Sequence, residues 1–267
     1  MLSGTAFREF SKTMLNDHCL VERQAQGVVR LTIANAGKAN ILSTPVIVAL
    51  TSGIEAIAAE PGLRALVLTG AGETSFIGGA DIKEMAALDP SSAERFITGL
   101  RDLCEAVRQC PAPVVARIGG WCLGGGLELA MACDMRIAAD TAKFAMPEVK
   151  VGIPSVIHAA LMPRLIGMAR ARWLILTGAT VDAATALDWG LVDTVAPAAA
   201  LDAAVDAALQ PLLACGPEAL RAQKELLRLW EELPLSQAID ASIPVFGRAF
   251  ATGEPQAHMQ AFLDRKR

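Results

Sequence analysis

Nothing constrains this chain more than the run Gly119-Gly120-Trp121-Cys122-Leu123-Gly124-Gly125-Gly126-Leu127-Glu128-Leu129-Ala130, where a strand passes through three consecutive glycines into an apolar helix. Glycine loses more conformational freedom on folding than any other residue, so a triplet is tolerated where backbone must approach something closely. The first amides of a helix lack intrahelical acceptors and favour an anion, or an oxygen on which negative charge develops. A tight turn packed under a core helix is the purely structural alternative. Two nucleotide-binding readings fail on spacing: no G-x-G-x-x-G starts at Gly119 or Gly120, and no G-x-x-x-x-G-K-[ST] occurs. Glu128 falls in the first turn among Leu127, Leu129, Ala130 and Met131, where burial raises a carboxyl pKa and the helix terminus lowers it. That balance suits a reactive base.

A second glycine-softened loop, Phe76-Ile77-Gly78-Gly79-Ala80-Asp81-Ile82-Lys83-Glu84-Met85, enters a helix near Ala80 and Asp81 and offers further free amides. Two amide sources on separate loops are what an oxyanion hole needs. Asp81 itself is read first as a helix N-cap. The third segment, Lys143-Phe144-Ala145-Met146-Pro147-Glu148-Val149-Lys150-Val151-Gly152-Ile153-Pro154, is a strand ending at a proline with Glu148 among apolar residues. An isolated Pro-Glu commonly faces solvent, but two carboxylates and two amide loops together supply the parts for proton transfer beside a carbonyl. Ser155 and His158 also raise a nucleophile and base reading. Neither G-x-S-x-G nor an obvious orienting acid accompanies them, so His158 is expected to be a hydrogen-bonded structural residue.

Composition narrows the class. The 24 basic against 28 acidic residues give a net charge of −4, too weak and too evenly spread to argue for a nucleic-acid or membrane surface. Cys19, Cys104, Cys110, Cys122, Cys133 and Cys215 lie in apolar segments without a C-x-x-C pair and are expected to be reduced, buried thiols. Three histidines without H-E-x-x-H spacing make a zinc site unexpected, and no metal is predicted. The first 17 residues lack a secretory apolar core, and a mitochondrial presequence has little support. No apolar run approaches the roughly 18 residues of a membrane span, so a soluble, cytoplasmic protein is expected.

Along the chain, β-branched residues 28–33 give a strand, and Ile47, Leu50, Ile54 and Ile57 recur at helical spacing after Ser43 and Pro45. The wholly apolar stretches 65–69 and 113–118 predict strands covered on both faces. Strand, loop and helix alternate to about residue 195, which predicts an α/β core over 1–195 built from repeated strand-strand-helix turns. Beyond it, 196–267 reads as a separate Ala-rich helical region with helices over 201–213, 217–232, 239–250 and 255–263. Leu220, Leu226, Leu227, Leu229, Trp230, Phe246 and Phe250 exceed what so small a piece can bury by itself, so oligomerisation is expected.

The succession F-x-G-G-A-D-I-K-E-M, G-G-G-L-E-L-A-M-A-C-D, F-A-M-P-E-V-x-x-G-I-P and L-T-G-A-x-x-D-A-x-x-A-L-x-x-G-L-V-D resembles the crotonase (enoyl-CoA hydratase/isomerase) superfamily over roughly residues 25–267. The resemblance implies a superhelix of ββα units with a C-terminal helical oligomerisation region, assembling as a homotrimer or a dimer of trimers. It implies that the Ala80 and Gly125 amides form an oxyanion hole and that Ala80, Asp81, Ile82 and Lys83 border the coenzyme A moiety of an acyl-CoA thioester. Gly124 and the Ser155 amide would complete the substrate contacts. Coenzyme A is then part of the substrate, and no separate cofactor is implied. Retention of both Glu128 and Glu148 implies reversible hydration of a 2-enoyl-CoA; a Δ3,Δ2-enoyl-CoA isomerase or another lyase of the superfamily is the alternative. A non-catalytic binding protein, including an RNA binder, is a third reading, against which stand the intact glutamate pair and the lack of a basic stripe. The family's usual glycine-rich turn is replaced here by Ser155-Val156-Ile157-His158, which predicts a reshaped acyl pocket.

Overall fold

Strands β1 (Lys12–Asn16), β2 (Cys19–Arg23) and β3 (Val28–Ile33) open the chain as an antiparallel meander, and α1 (Thr44–Ala58) follows. The computed structural model describes residues 12–264. The leader reading falls largely on residues 1–11, which lie outside the described residues, as do 265–267 of the C-terminal region. Ile47, Leu50, Ile54 and Ile57 of α1 form the buried stripe that their spacing predicts, and Val46 joins them.

From there the chain alternates between two sheets. β4 (Ala65–Gly70) enters a large sheet and β5 (Ser75–Ile77) a small one, before α2 (Ile82–Met85) and α3 (Pro90–Gln109). β6 (Val114–Ile118) and β7 (Trp121–Leu123) repeat the move and lead into α4 (Gly125–Ala132). β8 (Met135–Ala139) and β9 (Lys143–Ala145) repeat it again, followed by two 3-10 turns, Glu148–Val151 and Ile157–Leu161, and α5 (Met162–Thr177). β10 (Thr180–Asp182), α6 (Ala183–Trp189) and β11 (Thr194–Ala196) close the sheets. Among the described residues the large sheet has seven strands in the order β1-β2-β3-β4-β6-β8-β11 and the small one four, β10-β9-β7-β5.

The central strands are parallel, with Leu66 opposite Val114 and Val115 opposite Met135, and β4 and β6 are buried along their whole length. This is why they read as unbroken apolar runs: helices or loops cover both faces of a parallel sheet. Arg117, inside β6, is matched by Asp202 at 2.8 Å and Glu73 at 3.1 Å. Helix α3 starts at a capping box in which Asp89 accepts from the Ser92 amide and Ser92 returns the bond to the Asp89 amide.

The C-terminal region comprises α7 (Leu201–Ala214), α8 (Pro217–Glu232), α9 (Leu235–Phe250) and α10 (Glu254–Asp264). Helix α7 packs Leu201, Val205 and Leu209 against Val28, Val67, Val115 and Ile137 of the large sheet. Fully burying an aliphatic side chain is worth about 1.5–3 kcal/mol, so α7 is a wall of the sheet. Five of the six cysteines are buried and all are free; Cys215 is exposed, against expectation, because it follows α7 where the chain leaves the sheet. Helix α8 is pinned by buried Lys224, whose Nζ reaches Asp134 at 2.7 Å and the carbonyls of Val107 and Ala112. The outer face of α9 leaves Ile239, Ile243 and Phe246 largely exposed.

Candidate active site

Three segments converge on a cavity of about 620 Å³ that Ala80, Asp81, Ile82, Lys83, Gly124, Gly125, Glu128, Glu148 and Ser155 all line. Its volume is that of a small-molecule site.

The first amide is set by a single parallel bridge between Leu42 and Ala80. Leu42 donates to the Gly79 carbonyl at 2.9 Å and Asp81 donates to the Leu42 carbonyl at 3.0 Å. Strand residues alternate sides, so the bridge directs the Ala80 N–H away from Leu42. Asp81 caps α2, its carboxylate accepting from the amides of Lys83 at 2.8 Å and Glu84 at 3.2 Å. The N-cap role therefore holds beside its place on the cavity wall.

The second amide follows from the glycine triplet. Gly124 has φ +52° and caps α4, its carbonyl accepting from Leu127 and Glu128. A Cβ at Gly124 would lie 2.4 Å from Oε1 of Glu148, so only glycine lets that carboxylate rest against the helix start. A Cβ at Gly126 would lie 2.6 Å from the Ile77 carbonyl oxygen, which shows how closely the Ala80 loop abuts α4. Gly125, the first helical residue, has no carbonyl one turn back to bind, as at any helix start.

The two carboxyl groups differ in surroundings. Glu128 is buried in α4, and Oε1 accepts from the Ala159 amide at 2.9 Å. Burial dominates: it pushes the pKa to about 8, against the Ala159 bond and with a smaller contribution from Glu148. Glu148 opens the turn Glu148–Val151, half-buried, with Oε2 accepting from the Ser155 hydroxyl at 2.8 Å. One carboxyl that keeps its proton at neutral pH, a second beside it, and two amide sources can polarise a carbonyl and move a proton next to it.

The family model for enoyl-CoA hydratase/isomerase matches residues 23–267. The chain belongs to the enoyl-CoA hydratase/isomerase family. It is 38% identical to "Probable enoyl-CoA hydratase echA8" of Mycobacterium bovis, with 95% of this chain and 97% of that protein covered. It is 31% identical to the crotonyl-CoA hydratase of Syntrophomonas wolfei, over 95% of this chain and 98% of that one. The crystal structure of an enoyl-CoA hydratase from Bacillus anthracis superposes with a TM-score of 0.88 at 32% identity, covering 93% of this chain and 96% of that one.

On this enoyl-CoA hydratase/isomerase scaffold the nucleophile and base reading of Ser155 and His158 is not assembled. The Ser155 hydroxyl goes to Glu148, whereas His158 is buried and its Nε2 contacts Oε1 of Glu105, on α3, at 2.8 Å. Burial lowers the His158 pKa, more than the Glu105 contact raises it. Sequence reasoning missed the Ala159 amide, since every residue but proline carries one and no side-chain signal marks it. It also gave no site role to Phe96, Ile97 and Leu100 of α3, which line the cavity.

Proposed function

We propose that this chain catalyses the reversible syn hydration of a 2-enoyl-CoA to a 3-hydroxyacyl-CoA, as the names of its hydratase relatives suggest. One observation carries the reading: Glu128 and Glu148 share a cavity with the loops of Ala80 and Gly125. The thioester oxygen would accept from both amides, which stabilise the negative charge gathering there as water adds. Water adds its hydroxyl to C3 as an ionised glutamate takes the remaining water proton, and the other, protonated, glutamate gives its proton to C2; the proton taken from water restores the acid before the next turnover. Burial favours the protonated form of Glu128. The stretch 80–83, with Lys83 exposed beside it, would border the coenzyme A part of the substrate. Self-association as a trimer or dimer of trimers is part of the same proposal, supported by the exposed apolar side chains of α9.

The test is turnover by the purified chain on a panel of 2-enoyl-CoA, 3-enoyl-CoA and 3-hydroxyacyl-CoA thioesters, followed by thioester absorbance and product analysis. Hydration is expected, with Glu128→Gln and Glu148→Gln each losing about two orders of magnitude in kcat. Double-bond migration without hydration would transfer the chain to the isomerase reading. Wild-type turnover in either variant would remove the assigned roles.

A further inference from the structure

Both carboxyl groups of the cavity are held from one short segment, residues 155–159. Its first residue gives the Ser155 hydroxyl to Oε2 of Glu148 at 2.8 Å, and its last gives the Ala159 amide to Oε1 of Glu128 at 2.9 Å. Between them Ile157 sits at φ +43°, a left-handed conformation that β-branched residues rarely adopt. Such a bend persists where neighbours over-determine it. Here His158 fastens the turn to α3 through Glu105 at 2.8 Å, and Glu105 is in turn paired with Arg108 at 3.4 Å.

A glutamate side chain has three rotatable bonds, and Glu148 opens a 3-10 turn that is only half-buried, so its own backbone leaves the carboxylate several positions. One contact selects among them, and the bare Gly124 makes room for the choice. Oε2 is fixed by the Ser155 hydroxyl, and Oε1 lies where a Cβ on Gly124 would intrude. A carboxylate oxygen thereby rests beside Gly124, at the start of α4.

We infer that Ser155 is a positioning residue for the hydration chemistry: its hydroxyl holds the Glu148 carboxylate in its working orientation, from a bent turn locked by the His158–Glu105 contact. The inference rests on the proposed roles of the two glutamates and adds to them a group that acts only through Glu148.

The experiment is a kinetic cycle on the full chain with the 2-enoyl-CoA it turns over best, using Ser155→Ala, Ser155→Thr, Glu148→Gln and Ser155→Ala/Glu148→Gln. Ser155→Ala should lower kcat about tenfold with KM within about twofold, as expected when a charge-assisted hydrogen bond to a reacting group is lost. Ser155→Thr, which keeps the hydroxyl, should recover most of that loss. In the Glu148→Gln background, Ser155→Ala should change kcat by less than about twofold, because the group it acts through is gone. Wild-type kcat in Ser155→Ala, or effects that multiply in the double variant, would overturn the inference while leaving the hydratase reading intact. Wild-type kcat in Glu148→Gln would overturn both. Melting curves of each variant separate loss of orientation from loss of fold, and the threonine variant supplies the comparison if alanine loosens the turn.

Discussion

The backbone amide of Ala159 donates to Oε1 of Glu128 at 2.9 Å, within walls that leave Glu128 only 3% exposed. Loss of water opposes ionisation more than this bond favours it, and the pKa rises from 4.5 to about 8. Across that window the folded chain keeps a proton that the unfolded chain releases, so stability falls as pH rises through it. Each pKa unit is worth about 1.4 kcal/mol, which sets an upper bound of about 3.5 kcal/mol between the ordinary glutamate pKa and pH 7. Glu128→Gln keeps an acceptor for Ala159 and cannot ionise. Its melting temperature should exceed that of the wild type at pH 7.5 and converge with it near pH 4.5. Parallel melting profiles for the two proteins over that range would contradict the burial argument.

The Ala80 amide can be deleted without touching the bridge that positions it, because the bridge uses the Gly79 carbonyl and the Asp81 amide. Ala80→Pro removes one oxyanion donor and should cut kcat by about two to three orders of magnitude for every acyl chain tested. Gly125→Val acts on the other donor: a Cβ at Gly125 would lie 2.8 Å from Cδ2 of Leu100, so either the Leu100 side chain yields or the helix start shifts. Folded variants, checked by circular dichroism, that still hydrate at the wild-type rate would remove both amides from the site.

Lys224 joins α8 to the α/β core through Asp134 and two backbone carbonyls, and Asp134 also accepts from the Val114 amide at 2.7 Å. Lys224→Ala strands a partly buried carboxylate and two carbonyls, which should cost about 3 kcal/mol in denaturant unfolding. A loss below about 1 kcal/mol would show that α8 docks by other contacts.

Long elements were legible in the sequence and short ones were not. The helix read over 217–232 coincides with α8, and the buried runs became β4 and β6, because many residues there repeat one pattern. Strands β5, β7, β9 and β10 have three residues each, too few to show a period, so the second sheet was invisible as a sheet. The helices of the C-terminal region were legible by the same repetition. The apolar face of α7 is evident in its sequence, but what it covers is set by tertiary packing on the large sheet. At the site, the glycine triplet and the two glutamates announced themselves by residue type. The hydroxyl and amide that hold those glutamates lie in residues 155–159, where Ile157 takes the positive φ that glycine usually takes and no residue type marks the two bonds.

Helix α9 turns Ile239, Ile243, Phe246 and Phe250 outward at spacings of four, three and four, with Ile243 69% and Phe246 70% exposed. Trp230 of α8 and Leu235 extend the same apolar surface. A stripe of this kind on a lone chain invites a partner surface, and the proposed trimer would cover it with further copies of the chain. Removing everything after residue 195 would not test this, since it also strips α7 from the large sheet. Point changes avoid that confusion. Ile243→Glu/Phe246→Glu places two charges on side chains that already face solvent, so the monomer should keep its fold and its circular dichroism spectrum. Light scattering should then give three or six monomer masses for the wild type and one for the double variant. A wild type that runs as a monomer, or a double variant whose mass is unchanged, would show that α9 is not the face through which the copies meet.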